Sequence, residues 1–361
     1  MNSDLKYLKR ALQLAAYGLG QVSPNPMVGC VLVHDETIIG EGWHQQYGGP
    51  HAEVQAVRDA IGRGNEHLLA GATAYVTLEP CSHYGKTPPC ADLLVEKRLQ
   101  RVVIGQGDPN PLVAGRGVAR LRAAGIAVEE GLLEEEGAEL NRRFFTFFGQ
   151  KRPYVILKWA ETADGYLAGE DGKPLPISGE LSGVAVHRWR SEEDAILVGT
   201  TTARVDNPQL NVRRWAGRNP VRVVLDRRGS LPPSLHLFDG RQPTLVLGYQ
   251  RSSALDKVPA RYLDSTPHPI AYGRLEPGTH EHEIDQVLHQ MYLRNIQSVL
   301  VEGGATILNA FLERGLWDEI RRCQSTQKRG GSIRAPLPQG TLRAHEQVQE
   351  DLWTYYRKSG A

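Results

Sequence analysis

Net charge is almost absent from this chain: 42 Lys and Arg stand against 41 Asp and Glu, a balance of +1 over 361 residues. Such a surface has no general electrostatic hold on nucleic acid or on an acidic membrane, and leaves room only for a local basic patch able to meet one small phosphate. Long apolar runs are lacking too, none approaching the roughly 20 residues that span a bilayer. The charged stretch Met1–Arg10 is followed by no apolar segment, so a secretory signal is not expected. Cysteine is scarce, with only Cys30, Cys81, Cys90 and Cys323. Four are too few for a disulfide scaffold in a chain of this length. The expected setting is the reducing cytoplasm, where paired cysteines serve as metal ligands or free thiols. Internal repeats and low-complexity segments are also missing.

What remains is an ordinary globular composition, 40% hydrophobic and 23% charged, in a chain long enough for two domains. Apolar spacing predicts a helix at Asp4–Leu19, a buried strand at Met27–Val33 and its hairpin partner at Thr37–Glu41, with His34-Asp35-Glu36 as the turn. A helix at His51–Ile61, a strand at Ala72–Leu78, a helix at Cys90–Glu96 and a strand at Arg101–Ile104 follow. Helix Arg116–Ala124, strand Ile126–Glu129 and helix Leu133–Phe148 complete an α/β sandwich around one sheet. The pattern breaks at Gly149–Pro153, placing one domain at 1–149 and a second at 153–361. The second is also α/β, with strands at Tyr154–Trp159, Ala195–Val198, Val221–Leu225, Pro243–Leu247 and Ser298–Val301. Its helices are expected at Ser182–Arg190, His282–Leu293 and Ala305–Arg314. Arg227–Pro233 and the Pro- and Gly-rich Pro259–Gly278 read as loops.

The chemistry concentrates in the first domain. His51-Ala52-Glu53 opens a helix, Cys81 follows a strand, and Cys90 opens the next helix. One imidazole and two thiolates leave the fourth tetrahedral position of a zinc ion for water, as a catalytic zinc requires and a structural one does not. Helix N-termini favour thiolate over thiol. Glu53, two residues from His51, can handle the proton of the activated water without ligating the metal. The alternative is two packing thiols and a helix-capping histidine. Eight residues separate Cys81 from Cys90, where the general deaminase pattern has two. Cys30, within an apolar strand, reads as core.

Together these motifs resemble the bifunctional deaminase/reductase family of riboflavin biosynthesis. The resemblance is carried by Ser23-Pro24-Asn25-Pro26-Met27-Val28-Gly29, by His51-Ala52-Glu53, by the long segment Pro80–Cys90, and by Asp108-Pro109-Asn110-Pro111 with Gly115-Arg116-Gly117. The eight-residue spacing is that family's normal form. It implies a cytidine-deaminase-like α/β/α sandwich followed by a dihydrofolate-reductase-like α/β domain, with Zn2+ in the first and NADPH in the second. The implied substrate is a phosphorylated ribosylaminopyrimidine, deaminated and then reduced from ribosyl to ribityl; the implied assembly is a homo-oligomer formed through the second domain. The resemblance assigns Asn25, His44, His83, Lys86, Asp108 and Asn110 to the deaminase pocket. A polar heterocycle needs such donors and acceptors to fix its orientation, although turn-forming or exposed roles would account for each residue singly.

In the second domain, Lys158–Tyr166, Val198–Thr202 with Arg204–Arg213, and Val299–Ala305 resemble three blocks of the same family. A strand ending in Glu302, the pair Gly303-Gly304 and a following helix form a place where backbone N–H groups can receive a cofactor phosphate. By resemblance, Ala160, Thr202, Asp206 and Gly304 contact NADPH, while Lys158, Arg190, Leu210, Arg213 and Glu302 contact substrate. Arginine suits the phosphate because its fork donates two bonds at once. Two places depart from the family. Lys173-Pro174-Leu175-Pro176 stands where a Trp is usual, and the polar run Ile320–Arg329 replaces a more apolar strand and is expected at a sheet edge or interface. Two competing readings are a deaminase whose second domain serves only assembly, and a nucleic-acid-editing deaminase, which the charge balance disfavours.

Overall fold

The computed structural model describes residues 2–82, 88–111, 113–170, 172, 175–251, 270–278 and 282–359. The chain forms two compact units, Met1–Lys151 and Arg152–Ala361.

The first unit runs α1 (Asn2–Ala16), β1 (Gly29–His34), β2 (Thr37–Trp43), α2 (Ala52–Gly62), β3 (Thr73–Val76), α3 (Cys90–Glu96), β4 (Arg101–Ile104), α4 (Arg116–Ala123), β5 (Ala127–Glu130), α5 (Glu134–Leu140) and α6 (Arg142–Gln150). Its sheet has the order β2-β1-β3-β4-β5, antiparallel at the β2-β1-β3 end and parallel from β3 to β5. Strand alternation divides β1 between two cores. Cys30 and Leu32 pack with Ala52, Ala56, Ala91, Leu94 and Leu121 from α2, α3 and α4. Val31 and Val33 pack with Tyr7, Leu8, Ala11 and Leu14 of α1. The result is the expected α/β/α sandwich.

The β1–β2 turn is made by Asp35 and Glu36, both with positive φ (45° and 59°), the pair of left-handed residues that a two-residue hairpin with matching twist demands. On β2, bare backbone lets α2 lie close: a Cβ at Gly42 would stand 2.4 Å from the Ala56 nitrogen and 2.6 Å from the Ala52 oxygen. That contact fixes the start of α2.

The second unit continues with β6 (Tyr154–Glu161), β7 (Tyr166–Ala168), α7 (Glu180–Glu192), β8 (Ala195–Gly199), α8 (Thr200–Asp206), β9 (Val221–Leu225), β10 (Thr244–Gly248), β11 (Ile270–Arg274), α9 (Glu283–Tyr292), β12 (Ser298–Val301), α10 (Ala305–Arg314), β13 (Glu319–Gln324), β14 (Ile333–Arg334), β15 (Thr341–Val348) and β16 (Asp351–Arg357). Its main sheet is ordered β11-β10-β9-β8-β12-β6-β13-β16-β15, parallel from β11 through β13 and antiparallel beyond. One face packs Leu157, Leu197, Leu225 and Val301 on Phe311 and Leu288. The other carries Ile196 and Val198 with Ala203, and Ile156 with Trp189 and Trp353. The chain reaches β8 by skipping a strand position that β12 later fills, so the crevice at the carboxyl ends of β6, β12 and β8 is the topological place for a ligand.

Three expectations are corrected. The polar run at 320–329 does not form a sheet edge: its strand β13 lies inside the sheet, between β6 and β16. Its charges are paired rather than solvated: Arg321 donates to Glu319 at 2.6 Å and lies over the Trp189 ring, Arg357 pairs with Glu319, and Arg322 pairs with Glu161. The stretch Pro259–Gly278, expected as loop, contains strand β11; residues 252–269 lie outside the described residues. The helix expected over Leu133–Phe148 is two helices broken at Asn141. The buried Asn141 side chain accepts from the Met27 N–H at 2.8 Å and donates to the Met27 carbonyl at 2.9 Å, a two-way tie to the chain entering β1.

Candidate active sites

His51 is the N-cap of α2, with extended backbone and no side-chain capping bond, so its ring is available to a ligand. Its Nδ1 lies 3.5 Å from Cys81 Sγ and 3.4 Å from Cys90 Sγ. All three ligand atoms fall within 4.8 Å of one another. A tetrahedral zinc ion with ordinary Zn–N and Zn–S lengths separates nitrogen and sulfur by about 3.6 Å. The observed spacings therefore fit that ion, and no cysteine is spent on a disulfide. Cys81 follows β3; Cys90 is the first residue of α3 and its N–H donates to Cys81 Sγ at 3.3 Å. The Cys81 thiol is pulled well below its ordinary value by the hydrogen bond from Cys90 and, against burial, by His51. This is thiolate character suited to a metal.

Glu53, 3% exposed, stands in the first turn of α2 beside these groups. Burial pushes its carboxyl above the ordinary carboxylate value, the direction that favours a proton acceptor.

Of the six residues assigned to the pocket by resemblance, His44 stands against this cluster and Asn25 is held by His44. The His44 ring is 5.4 Å from the His51 ring, edge to face. Its Nδ1 meets the Pro50 carbonyl at 3.0 Å and its Nε2 meets Asn25 Nδ2 at 3.0 Å. A carbonyl only accepts, so Nδ1 carries the proton and Nε2 accepts from Asn25, which fixes both the tautomer and the direction of the Asn25 amide. Burial lowers the His44 pKa, consistent with a neutral ring. Asp108 and Asn110 lie on the loop after β4, where Asp108 Oδ1 accepts the Asn110 N–H at 2.8 Å. His83 and Lys86 lie outside the described residues.

In the second unit, the register sets Leu157 beside Val301, so Lys158, within β6, neighbours Glu302, which directly follows β12. Glu302 accepts two bonds from Arg190 of α7, at 2.9 and 2.8 Å, with both side chains largely buried. Burial alone would raise the Glu302 carboxyl; the charges of Arg190 and Lys158 overcome it and hold the group at about 2. Arg190 also reaches the Asn211 carbonyl, and Arg213 donates to Asn211 Oδ1 at 2.9 Å.

His187, which the sequence did not single out, accepts the Arg213 N–H at 3.2 Å. Its pKa falls to about 4 through burial and then through the charges of Arg190 and Arg213.

Thr202 lies in α8, and its Oγ1 accepts the Gly304 N–H at 3.0 Å. That bond joins the starts of α8 and α10 at the ends of adjacent parallel strands β8 and β12. Ala160 lies near the end of β6, Asp206 closes α8, and Leu210 is buried with φ 52°.

A His–Cys–Cys ligand cluster with an adjacent carboxylate on the first α/β/α unit, joined to a parallel-sheet α/β unit with a crevice beside Arg190 and Arg213, is the arrangement of a two-part enzyme whose first part is a zinc deaminase. Comparison with known proteins gives the particular family. Residues 1–106 match the cytidine and deoxycytidylate deaminase zinc-binding region, and residues 153–350 match the RibD C-terminal domain. The chain is 41% identical to the riboflavin biosynthesis protein RibD of Actinobacillus pleuropneumoniae, over 94% of this chain and 87% of that one. It is 38% identical to the Escherichia coli RibD over 88% and 86% of the two chains. Among solved structures, the diaminohydroxyphosphoribosylaminopyrimidine deaminase/5-amino-6-(5-phosphoribosylamino)uracil reductase of Thermotoga maritima matches with a TM-score of 0.85 and 38% identity, covering 99% of each chain. Acinetobacter baumannii RibD matches with a TM-score of 0.86, 36% identity and the same coverage.

The chain belongs to the RibD family, the bifunctional deaminase/reductases of riboflavin biosynthesis. Its cofactors are zinc in the first unit and NADPH in the second. The match runs through both units, so a second unit serving assembly alone is not favoured. No described helix is long and apolar enough to cross a membrane.

Proposed function

We propose that the first unit hydrolyses the 2-amino group from 2,5-diamino-6-ribosylamino-4(3H)-pyrimidinone 5′-phosphate, and that the second reduces the ribosyl group of the product to ribityl. The observation that carries the reading is the convergence of His51, Cys81 and Cys90 beside the buried Glu53. His51, Cys81 and Cys90 would hold zinc, and bound zinc supplies the Lewis acidity that makes water nucleophilic near neutral pH. Glu53 would carry the two protons of the water in turn, the first to a ring nitrogen and the second to the departing amine, which leaves as ammonia. Asn25, with its amide held by His44, orients the heterocycle; Asp108 and Asn110, with His83 and Lys86, complete the pocket.

In the second unit, Ala160, Thr202, Asp206 and Gly304 would bind NADPH, which supplies the hydride. Arg190 and Arg213 receive the substrate phosphate, while Lys158, Leu210 and Glu302 line the sugar. The proposed setting is the cytoplasm, as a homo-oligomer without nucleic-acid partners. The four free cysteines and the balanced charge support the setting and the lack of nucleic-acid partners.

Two variants of the full chain test the deaminase roles. E53Q is expected to retain one zinc per chain and lose deamination; C81S is expected to lose the zinc. In both, NADPH oxidation should persist when deaminated substrate is supplied. Zinc lost from E53Q, or retained by C81S, refutes the separation of ligand from proton carrier.

A further inference from the structure

The Glu79-Pro80-Cys81 segment holds a buried carboxyl group that neither the metal nor the proposed chemistry uses. Glu79 is 5% exposed. Its Oε2 accepts the Gly115 N–H at 2.9 Å, and its Oε1 accepts those of Gly117 at 2.8 Å and Val118 at 3.3 Å. These are donors at the start of α4, which a helix leaves without intrahelical partners. The N-cap of α4 is Gly115, which has no side chain to satisfy them. The cap comes instead from a residue 36 positions earlier in the chain.

The backbone beside that cap is equally close. A Cβ at Gly117 would stand 2.0 Å from the Pro80 oxygen. The chain just before Cys81 is therefore clamped to the start of α4. Just after it, the Cys81 carbonyl accepts the Ala91 N–H at 3.1 Å, and its sulfur accepts the Cys90 N–H, both at the start of α3. Cys81 is suspended between two helix N-termini, and Glu79 makes one of the two attachments. The same carboxyl group, through Gly115, also anchors the end of the loop that carries Asp108 and Asn110.

We propose that Glu79 is a positioning residue for the metal centre: it fixes where Cys81 presents its sulfur to His51 and Cys90, and ties the Asp108–Gly115 loop to the same frame. The inference rests on the reading of His51, Cys81 and Cys90 as the zinc ligands. Glutamine keeps the size of the side chain but turns one acceptor into a donor facing backbone N–H groups. Outer partners that orient metal ligands typically account for 10–100-fold in affinity, and E79Q is expected to weaken zinc binding by about that factor.

The test is a zinc dissociation constant by competition with a chromophoric chelator on the full chain, together with the unfolding midpoint of the first unit with zinc and after chelation. In E79Q the gap between the two midpoints should narrow, and E79D, which keeps both acceptors on a shorter arm, should recover part of the affinity. A cap that served only the fold would lower both midpoints equally and leave the dissociation constant unchanged; that result overturns the proposal. Should E79Q fail to fold, E79D decides by the same measurement: affinity equal to that of the unsubstituted chain overturns the proposal, and weaker affinity supports it. C81S separates the two layers, since zinc retained by C81S defeats the ligand assignment itself, whereas unchanged zinc binding in E79Q beside its loss in C81S defeats only the role of Glu79.

Discussion

Replacing Glu302 by glutamine should cost the second unit a large, pH-dependent part of its stability. Glu302 and Arg190 form a two-bond ion pair whose side chains are 9% and 12% exposed, so solvent screens them little. The Glu302 carboxyl moves from an ordinary 4.5 to about 2 in the fold. A carboxyl group with a depressed native pKa contributes stability that is fully present above its unfolded pKa and is lost as pH falls through the native one. Here the contribution is about 3 kcal/mol above pH 5, lost between about pH 5 and pH 2.

At neutral pH, E302Q also leaves the Arg190 guanidinium buried without its counter-charge, for which breaking a buried pair costs about 3–5 kcal/mol. At about 2–4 °C per kcal/mol for a unit of this size, the melting temperature should fall by about 10 °C. Five of the six tryptophans (159, 189, 215, 317 and 353) lie in the second unit, so intrinsic fluorescence follows its unfolding in the full chain. Urea titrations at pH 7 and pH 3.5 compare the two proteins. The gap between them should be widest at pH 7 and narrower at pH 3.5, part-way through the range over which the contribution is lost. An equal gap at both pH values, or no gap at pH 7, refutes the account of the pair.

Two further outcomes follow from the same packing and charge arguments. G42A forces a Cβ against the α2 backbone at 2.4 Å, and overpacking of this kind costs about 1–3 kcal/mol or more. The first unit should melt earlier and bind zinc less well, while NADPH oxidation with supplied deaminated substrate is unaffected; normal zinc loading would show that α2 does not depend on this contact. R213A removes a guanidinium from the cationic rim and should raise the reductase KM for the phosphorylated substrate about 10–100-fold, as expected for hydrogen bonds to a charged group, with the KM for NADPH unchanged. An equal loss for a substrate lacking the phosphate would remove Arg213 from that role.

Much of the first unit is legible in its sequence because period and punctuation agree there. Cys90–Glu96 and Arg101–Ile104 have the same bounds by spacing and in the structure, and the zinc ligands fall at the strand and helix ends that the spacing implies. Legibility fails where a long-range partner decides. Nothing near Asn141 announces that its side chain will pair with Met27 and break a helix, because the partner is 114 residues away. Strand β13 reads as an edge by its alternation of Ile320, Arg322 and Gln324. It is internal because Glu161 of β6 and Trp189 of α7, together with Glu319 of the strand itself, neutralise or cover its arginines. Strand β15 is exposed along nearly its whole length and offers no apolar face to read.

The hidden partners are also what make the sites. His51, Cys81 and Cys90 can be named from local motifs, but their spacing of 3.4–3.5 Å is set by contacts those motifs do not contain. Gly42 admits the backbone of α2 and so places His51; Glu79 and Gly117 hold the approach to Cys81; the start of α3 delivers Cys90. In the second unit, a bond between Thr202 and Gly304 joins two helix starts, and Arg190 reaches Glu302 across 112 positions of sequence. His51 and Cys90 sit at the starts of α2 and α3, and the starts of α4 and α10 are held by Glu79 and Thr202, residues far away in the chain. A change at one of those remote residues should therefore alter metal or phosphate affinity before it alters the identity of any reacting group, which makes binding constants rather than turnover the more sensitive measure of how these folds carry their chemistry.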